Sequence, residues 1–119
     1  MARDFVKVST LKSVEIIDLW LPETLDSEEF DRLNTSLLGV LDAKIDGAWL
    51  LDLSAVDYMG SSVLGLMINI RQHIKSGGGK LVLNGLSPRL AAIFHTCCLE
   101  KLFQISKNRE EGVRMLGKK

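Results

Sequence analysis

No apolar run in this chain of 119 residues approaches the roughly 18 that a helix needs to cross a bilayer. The opening Met-Ala-Arg-Asp-Phe-Val-Lys lacks the apolar stretch of a secretory signal. Cysteine is nearly missing: only Cys97 and Cys98 occur, and sequence neighbours make a poor structural staple. These absences point to the cytoplasm, with both thiols reduced. Net charge is missing too, since 15 basic residues balance 15 acidic ones. A neutral total gives no general attraction to nucleic acid or to an anionic membrane. No internal repeat, linker or low-complexity segment interrupts the chain, and Lys118 and Lys119 read as a solvated tail.

What is present describes a folded globular protein. Apolar residues make up 46% and charged residues 25%, which argues against disorder. The length suits one domain over residues 1–119, its globular part about 4–116, with a core that needs neither disulfide nor metal. Two short β-rich segments, Phe5, Val6, Val8 and then Val14, Ile16, Ile17, Leu19, Trp20, flank Lys12-Ser13 and predict a hairpin. Pro22 ends the second strand. Asp26-Ser-Glu-Glu29 has the form of a capping box, and Phe30, Leu33, Leu37, Leu38 and Leu41 follow at helical spacing. After Asp46-Gly47, the apolar run over 48–53 predicts a strand covered on both faces.

Further along, Val63, Met67, Ile70 and Ile74 share one helix face, and Ser62, Gly65, Asn69 and Gln72/His73 share a small, polar one. Gly77-Gly-Gly79 stops that helix and releases a strand at 81–83. Ser87-Pro88 opens the next helix as N-cap and N1; Leu90, Ile93, Phe94 and Cys97 form its buried stripe. A strand around 102–105 and a helix near 110–116 complete the order β-β-α-β-α-β-α-β-α. This alternation predicts an α/β fold: a mixed, mostly parallel sheet, with an N-terminal hairpin and about four helices packed on it.

Chemistry concentrates at Asp52-Leu-Ser-Ala-Val-Asp-Tyr-Met-Gly-Ser-Ser-Val-Leu-Gly65. Here a strand passes into a helix, with two hydroxyls at the junction and at a strand end where sites form. A helix start presents unpaired N–H groups and partial positive charge, so a phosphate on a serine there is stabilised. Ser61 therefore reads as a helix N-cap, as a phosphoacceptor, or as both in turn. Ser62, Gly65 and Asn69, at i, i+3 and i+7, form a low face suited to docking or simply to solvent. Asp26 reads on local grounds as a cap.

Enzyme readings fare badly. Gly60-Ser61-Ser62-Val63-Leu64 ends in leucine where a nucleophile elbow needs glycine, and no His/acid pair follows in order. His73, mid-helix, and His95, near the buried stripe, read as structural or solvent-facing. Gly77-Gly-Gly-Lys80 lacks the Ser/Thr of a phosphate-binding loop and runs from helix to strand. Cys97-Cys98 lacks metal-ligand spacing, and Cys97 reads as core. Neither catalysis, cofactor nor metal is expected.

Asp52-Leu-Ser-x-Val-x-Tyr-Met-Gly-Ser-Ser-x-Leu-Gly65 resembles the signature of STAS domains, above all the bacterial anti-sigma factor antagonists. Leu25-Asp26, the Gly77-Gly-Gly79 break and Ser87-Pro88 also fall where that family has equivalents, so the resemblance covers nearly the whole chain. It implies a partner-switching protein that captures an anti-sigma factor with serine kinase activity. Phosphorylation of the serine matching Ser61, with ATP as the kinase's ligand, releases that partner, and a phosphatase resets the switch. It also implies partner contacts through Met59, Gly60, Ser61, Ser62, Gly65 and Asn69 and through Asp26. Two positions depart from the family pattern: Gly60 stands where the antagonists carry aspartate, and Val63 where they carry glycine. Two alternative readings are a non-phosphorylated STAS adaptor, for example for a transporter ATPase, and a small-ligand-binding STAS domain.

Overall fold

The computed structural model describes residues 5–22 and 24–117; Lys118 and Lys119 lie outside them. Strands β1 (Val6–Leu11) and β2 (Val14–Trp20) form the expected hairpin. Its two-residue tip, Lys12 and Ser13, has φ of 51° and 68°, the left-handed pair that matches the twist of a tight hairpin. Helix α1 (Ser27–Asp42), strand β3 (Ala48–Ala55), helix α2 (Ser61–Ser76) and strand β4 (Lys80–Asn84) follow. Helix α3 (Pro88–Thr96), strand β5 (Gln104–Ser106) and helix α4 (Arg109–Gly117) complete the order. The five strands lie in the order β1-β2-β3-β4-β5, antiparallel only between β1 and β2.

Alternation along the strands divides the interior in two. Ile17, Leu19, Trp49, Leu51, Leu53 and Leu83 point to one face and pack with α1, α2 and α3 in the main core. Leu33, Leu37 and Leu41 of α1 are at most 1% exposed there, each burial stabilising by about 1.5–3 kcal/mol. Val14, Ile16, Leu50 and Val82 point to the other face, where Val113 and Leu116 of α4 cover them in a smaller core. β3 is thus covered on both sides, which accounts for its unbroken apolar run.

Two expectations give way near the end of the chain. The last strand begins at Gln104, after a single 3-10 turn at Leu99–Lys101. Cys97 is exposed, not core. Helix α3 stops at Thr96, and the backbone turns left-handed at Cys98 with φ 59°. Cys97 therefore caps the helix and does not extend its stripe. Leu99 and Phe103 fill the space instead, with Phe103 packed on Phe94 at a ring separation of 5.8 Å.

Candidate functional site

The parallel strands β2 and β3 both run toward the same edge of the sheet, so their exits lie side by side. The connection leaving β2 and the one leaving β3 line a groove of about 480 Å³. One wall carries Leu25, Asp26, Ser27 and Phe30; the other carries residues 58–63. The fold thus brings Asp26 together with Gly60, Ser61 and Ser62, which lie more than thirty positions away in sequence.

Asp26 caps α1 as the spacing requires. Its Oδ1 accepts from Glu29 N–H at 2.8 Å, and Glu29 Oε1 accepts from Asp26 N–H at 3.1 Å. α2 starts differently. Its N-cap is Gly60, not Ser61, with φ −79° and ψ 176° and no side-chain cap bond. Extended geometry one residue earlier places Ser61 at N1, inside the helix, and Leu64 N–H becomes the first to bond back, to Gly60 O at 3.0 Å. The N–H groups ahead of it point out of the helix, and no acid sits in the first turn. Ser61 and Ser62 are both exposed at this positive end.

Met59 lines the groove but is only 2% exposed and belongs to the main core. Its side chain seats the loop on that core. Val63, at 5% exposed, is core as well. Gly65 and Asn69 lie along α2 outside the groove, Gly65 half-buried and Asn69 exposed. A methyl group added at Gly65 would meet nothing within 4 Å, and one at Gly60 would meet only Tyr58 Cε2 at 4.0 Å. Neither glycine is demanded by packing; each keeps the surface low. Ile68, 36% exposed, borders this face.

Sequence reasoning missed two features. Tyr58 lines the groove beneath the guanidinium of Arg89, 5.0 Å from the ring centre, and Arg89 Nη1 reaches Asp57 Oδ2 at 3.3 Å. The second is a polar row on the α4 face. Asp18, Asp52, Asn84 and Ser106 are register partners across four strands. Arg109 donates through Nη2 to Asp18 at 2.5 Å and to Asp52 at 2.7 Å. Asp52 Oδ1 accepts from Ser54 N–H at 2.9 Å, and Asn84 Nδ2 donates to Asp52 Oδ2 at 3.1 Å. Burial pushes the Asp52 carboxyl up, but the bonds from Ser54 and Arg109 outweigh it and hold the group below its ordinary value. The Asp52 hydrogen bond in turn raises the Arg109 guanidinium. Gly85, at φ 80°, is needed beside this row, because a side chain there would run into Ser54. The available signal was an aspartate within each of the apolar strands β2 and β3 and an asparagine ending β4.

A five-stranded mixed sheet with this hairpin, helix order and strand-end groove is an α/β domain of the STAS type. The STAS domain family model matches residues 7–112, and the chain belongs to that family. The anti-sigma-B factor antagonist of Bacillus subtilis (strain 168) is 37% identical over 62 residues, 52% of this chain and 57% of that protein. The match thus spans little more than half the length of this relative. A solved anti-sigma-factor antagonist (STAS) domain protein from Planctomyces limnophilus superposes with a TM-score of 0.81 at 19% identity, covering 95% of this chain and 98% of its own. SpoIIAA, an anti-sigma factor antagonist solved unphosphorylated, gives 0.69 at 16% identity, covering 96% and 98%. The phosphorylated form from Bacillus gives 0.65 at 15%, covering 93% and 98%. At these identities the structural likeness establishes the fold.

Proposed function

We propose that this chain is an anti-sigma factor antagonist without catalysis of its own, acting in the cytoplasm. It binds an anti-sigma factor that is also a serine kinase, through the groove and the low face of α2. Phosphorylation of Ser61 releases that partner, and a phosphatase restores binding. The observation that carries this reading is the exposed Ser61 at the start of a helix that lacks a side-chain cap, facing Asp26 across one groove. The relatives support it: one is an anti-sigma-B factor antagonist, and SpoIIAA has been solved with and without its phosphate.

A phosphate on Ser61 would bring roughly −1.5 to −2 charges. The free N–H groups and dipole of α2 would stabilise that charge. In an interface packed against Gly60, Ser62 and Gly65, the same charge would be desolvated and crowded, so the partner would let go. Gly60 favours a second reading, a non-phosphorylated adaptor, because the antagonists carry an acid where this chain has none.

Intact mass after incubation with a cognate kinase and ATP separates the two. Gain of one phosphate at Ser61 supports the switch; no gain favours the adaptor. In a binding titration Ser61→Glu is expected to weaken the partner complex at least about tenfold, some 1.4 kcal/mol, with Ser61→Ala unchanged. Equal affinities for both variants and the wild type would defeat phosphorylation control.

A further inference from the structure

The two walls of the groove are fed by neighbouring strands, β2 into the Asp26 wall and β3 into the Ser61 wall. Their pairing keeps register through Asp18 opposite Asp52 and then shifts, so that Trp20 meets Ala55. The Asp18–Asp52 rung is therefore the last regular one before the walls part. On the sheet face opposite the groove, one guanidinium joins the two sides of that rung, through the bonds of Arg109 to Asp18 and Asp52. Arg109 Nε adds a third bond, to Asp52 Oδ2 at 3.2 Å.

We propose that Arg109 is a positioning residue for the groove: it ties the strand ends behind the two walls, and so links their spacing to the docking of α4. The tie is unequal on its two sides. Asp52 is also held by Ser54 and Asn84, so the β3 exit is anchored within the sheet. Asp18 joins this network through Arg109 and is the more exposed carboxylate, at 38% against 7%. The β2 exit, and with it the Asp26 wall, is the part that α4 steadies.

Arg109 is itself well placed for this role. It opens α4, whose first turn is fixed by Asn108 Oδ1 accepting from Glu111 N–H at 2.8 Å. Val113 and Leu116 then seat the helix on the sheet. A planar guanidinium reaches two carboxylates at once, whereas a lysine ammonium acts as a single point charge. A partner or modification that lifts α4 would loosen the groove from behind. The consequence for partner binding rests on the function proposed above; the geometry of the tie does not.

Amide hydrogen exchange on the full chain, without any partner, tests the tie separately from that function. Two amides report on the walls: Phe30, bonded to Asp26 O at 2.9 Å, and Leu64, bonded to Gly60 O at 3.0 Å. Arg109→Met is expected to speed exchange at Phe30 by about fivefold or more, with a smaller rise at Leu64, as a local opening. Arg109→Lys should recover part of the protection, and Asp18→Asn should affect Phe30 alone. Val14→Ala, an apolar deletion at the other end of the same small core, controls for general loss of stability and should spare both reporters relative to the rest of the sheet. Changes confined to α4 and β5 in Arg109→Met would overturn the proposal. If that variant does not fold, unchanged protection at Phe30 in Asp18→Asn overturns it instead.

Discussion

The groove and the polar row lie at the same end of the sheet, on opposite faces, and they treat their polar groups in opposite ways. In the row, Asp18, Asp52, Asn84, Ser106 and Arg109 bond to one another, and Asp52 is almost fully buried. In the groove, Ser61 and Ser62 are exposed at a helix start with no side-chain cap. Asp26 shows the intermediate case, exposed yet committed to its own helix. Polar groups spent within the chain hold the fold, and polar groups left to solvent are available to a partner. α2 differs from α1, α3 and α4, whose starts are bonded by Asp26, Ser87 and Asn108.

The largest effect should come from the buried side of this comparison. Asp52→Ala would leave Arg109, Asn84 and the Ser54 N–H without their shared acceptor, at a cost of roughly 3 kcal/mol, measurable by urea unfolding. The same carboxyl sets an acid limb. Its folded value lies below the ordinary 3.8, so as pH falls the unfolded chain takes up the proton first. Its stabilisation is present above that ordinary value and is lost as pH drops through the lowered one. Asp52→Asn should flatten the stability profile in that acidic window. A profile as steep as wild type would move the acid sensitivity to another group and weaken the contrast.

Asp26→Ala should cost about 1 kcal/mol by removing the capping box of α1, seen as a lower thermal midpoint with the sheet intact. The smallest changes belong to α2. Ser61→Ala should stay within about 0.5 kcal/mol of wild type, because Ser61 caps nothing. Gly60→Asp should stabilise by a few tenths of a kcal/mol, since a side chain fits there and an acid suits a helix start. A loss at Ser61→Ala as large as that at Asp52→Ala would erase the distinction between the two regions.

Much of the fold was legible because it rests on local periodicity. The capping box at Asp26, the stop at Gly77-Gly-Gly79 and the Ser87-Pro88 start use contacts within a few residues. The candidate site was legible as a motif but less so as geometry. Ser61 read as a cap because serine at a strand-to-helix junction usually is one, but the loop enters the helix one residue earlier, at Gly60. The motif gave no sign that Met59, which lines the groove, also turns its side chain into the core. Cys97 fitted the spacing of a stripe whose helix ends before reaching it.

Sequence by itself determined the order of elements, the buried seams of α1 and α2 and the serine-bearing junction, since spacing of apolar residues dictates which face is buried. Tertiary structure alone decided that Asp26 faces Ser61 across one groove, and that Arg109 meets Asp18 and Asp52. Those pairings depend on strand order and register, which bring distant residues together through burial and hydrogen bonding across the sheet. No spacing along the chain encodes them.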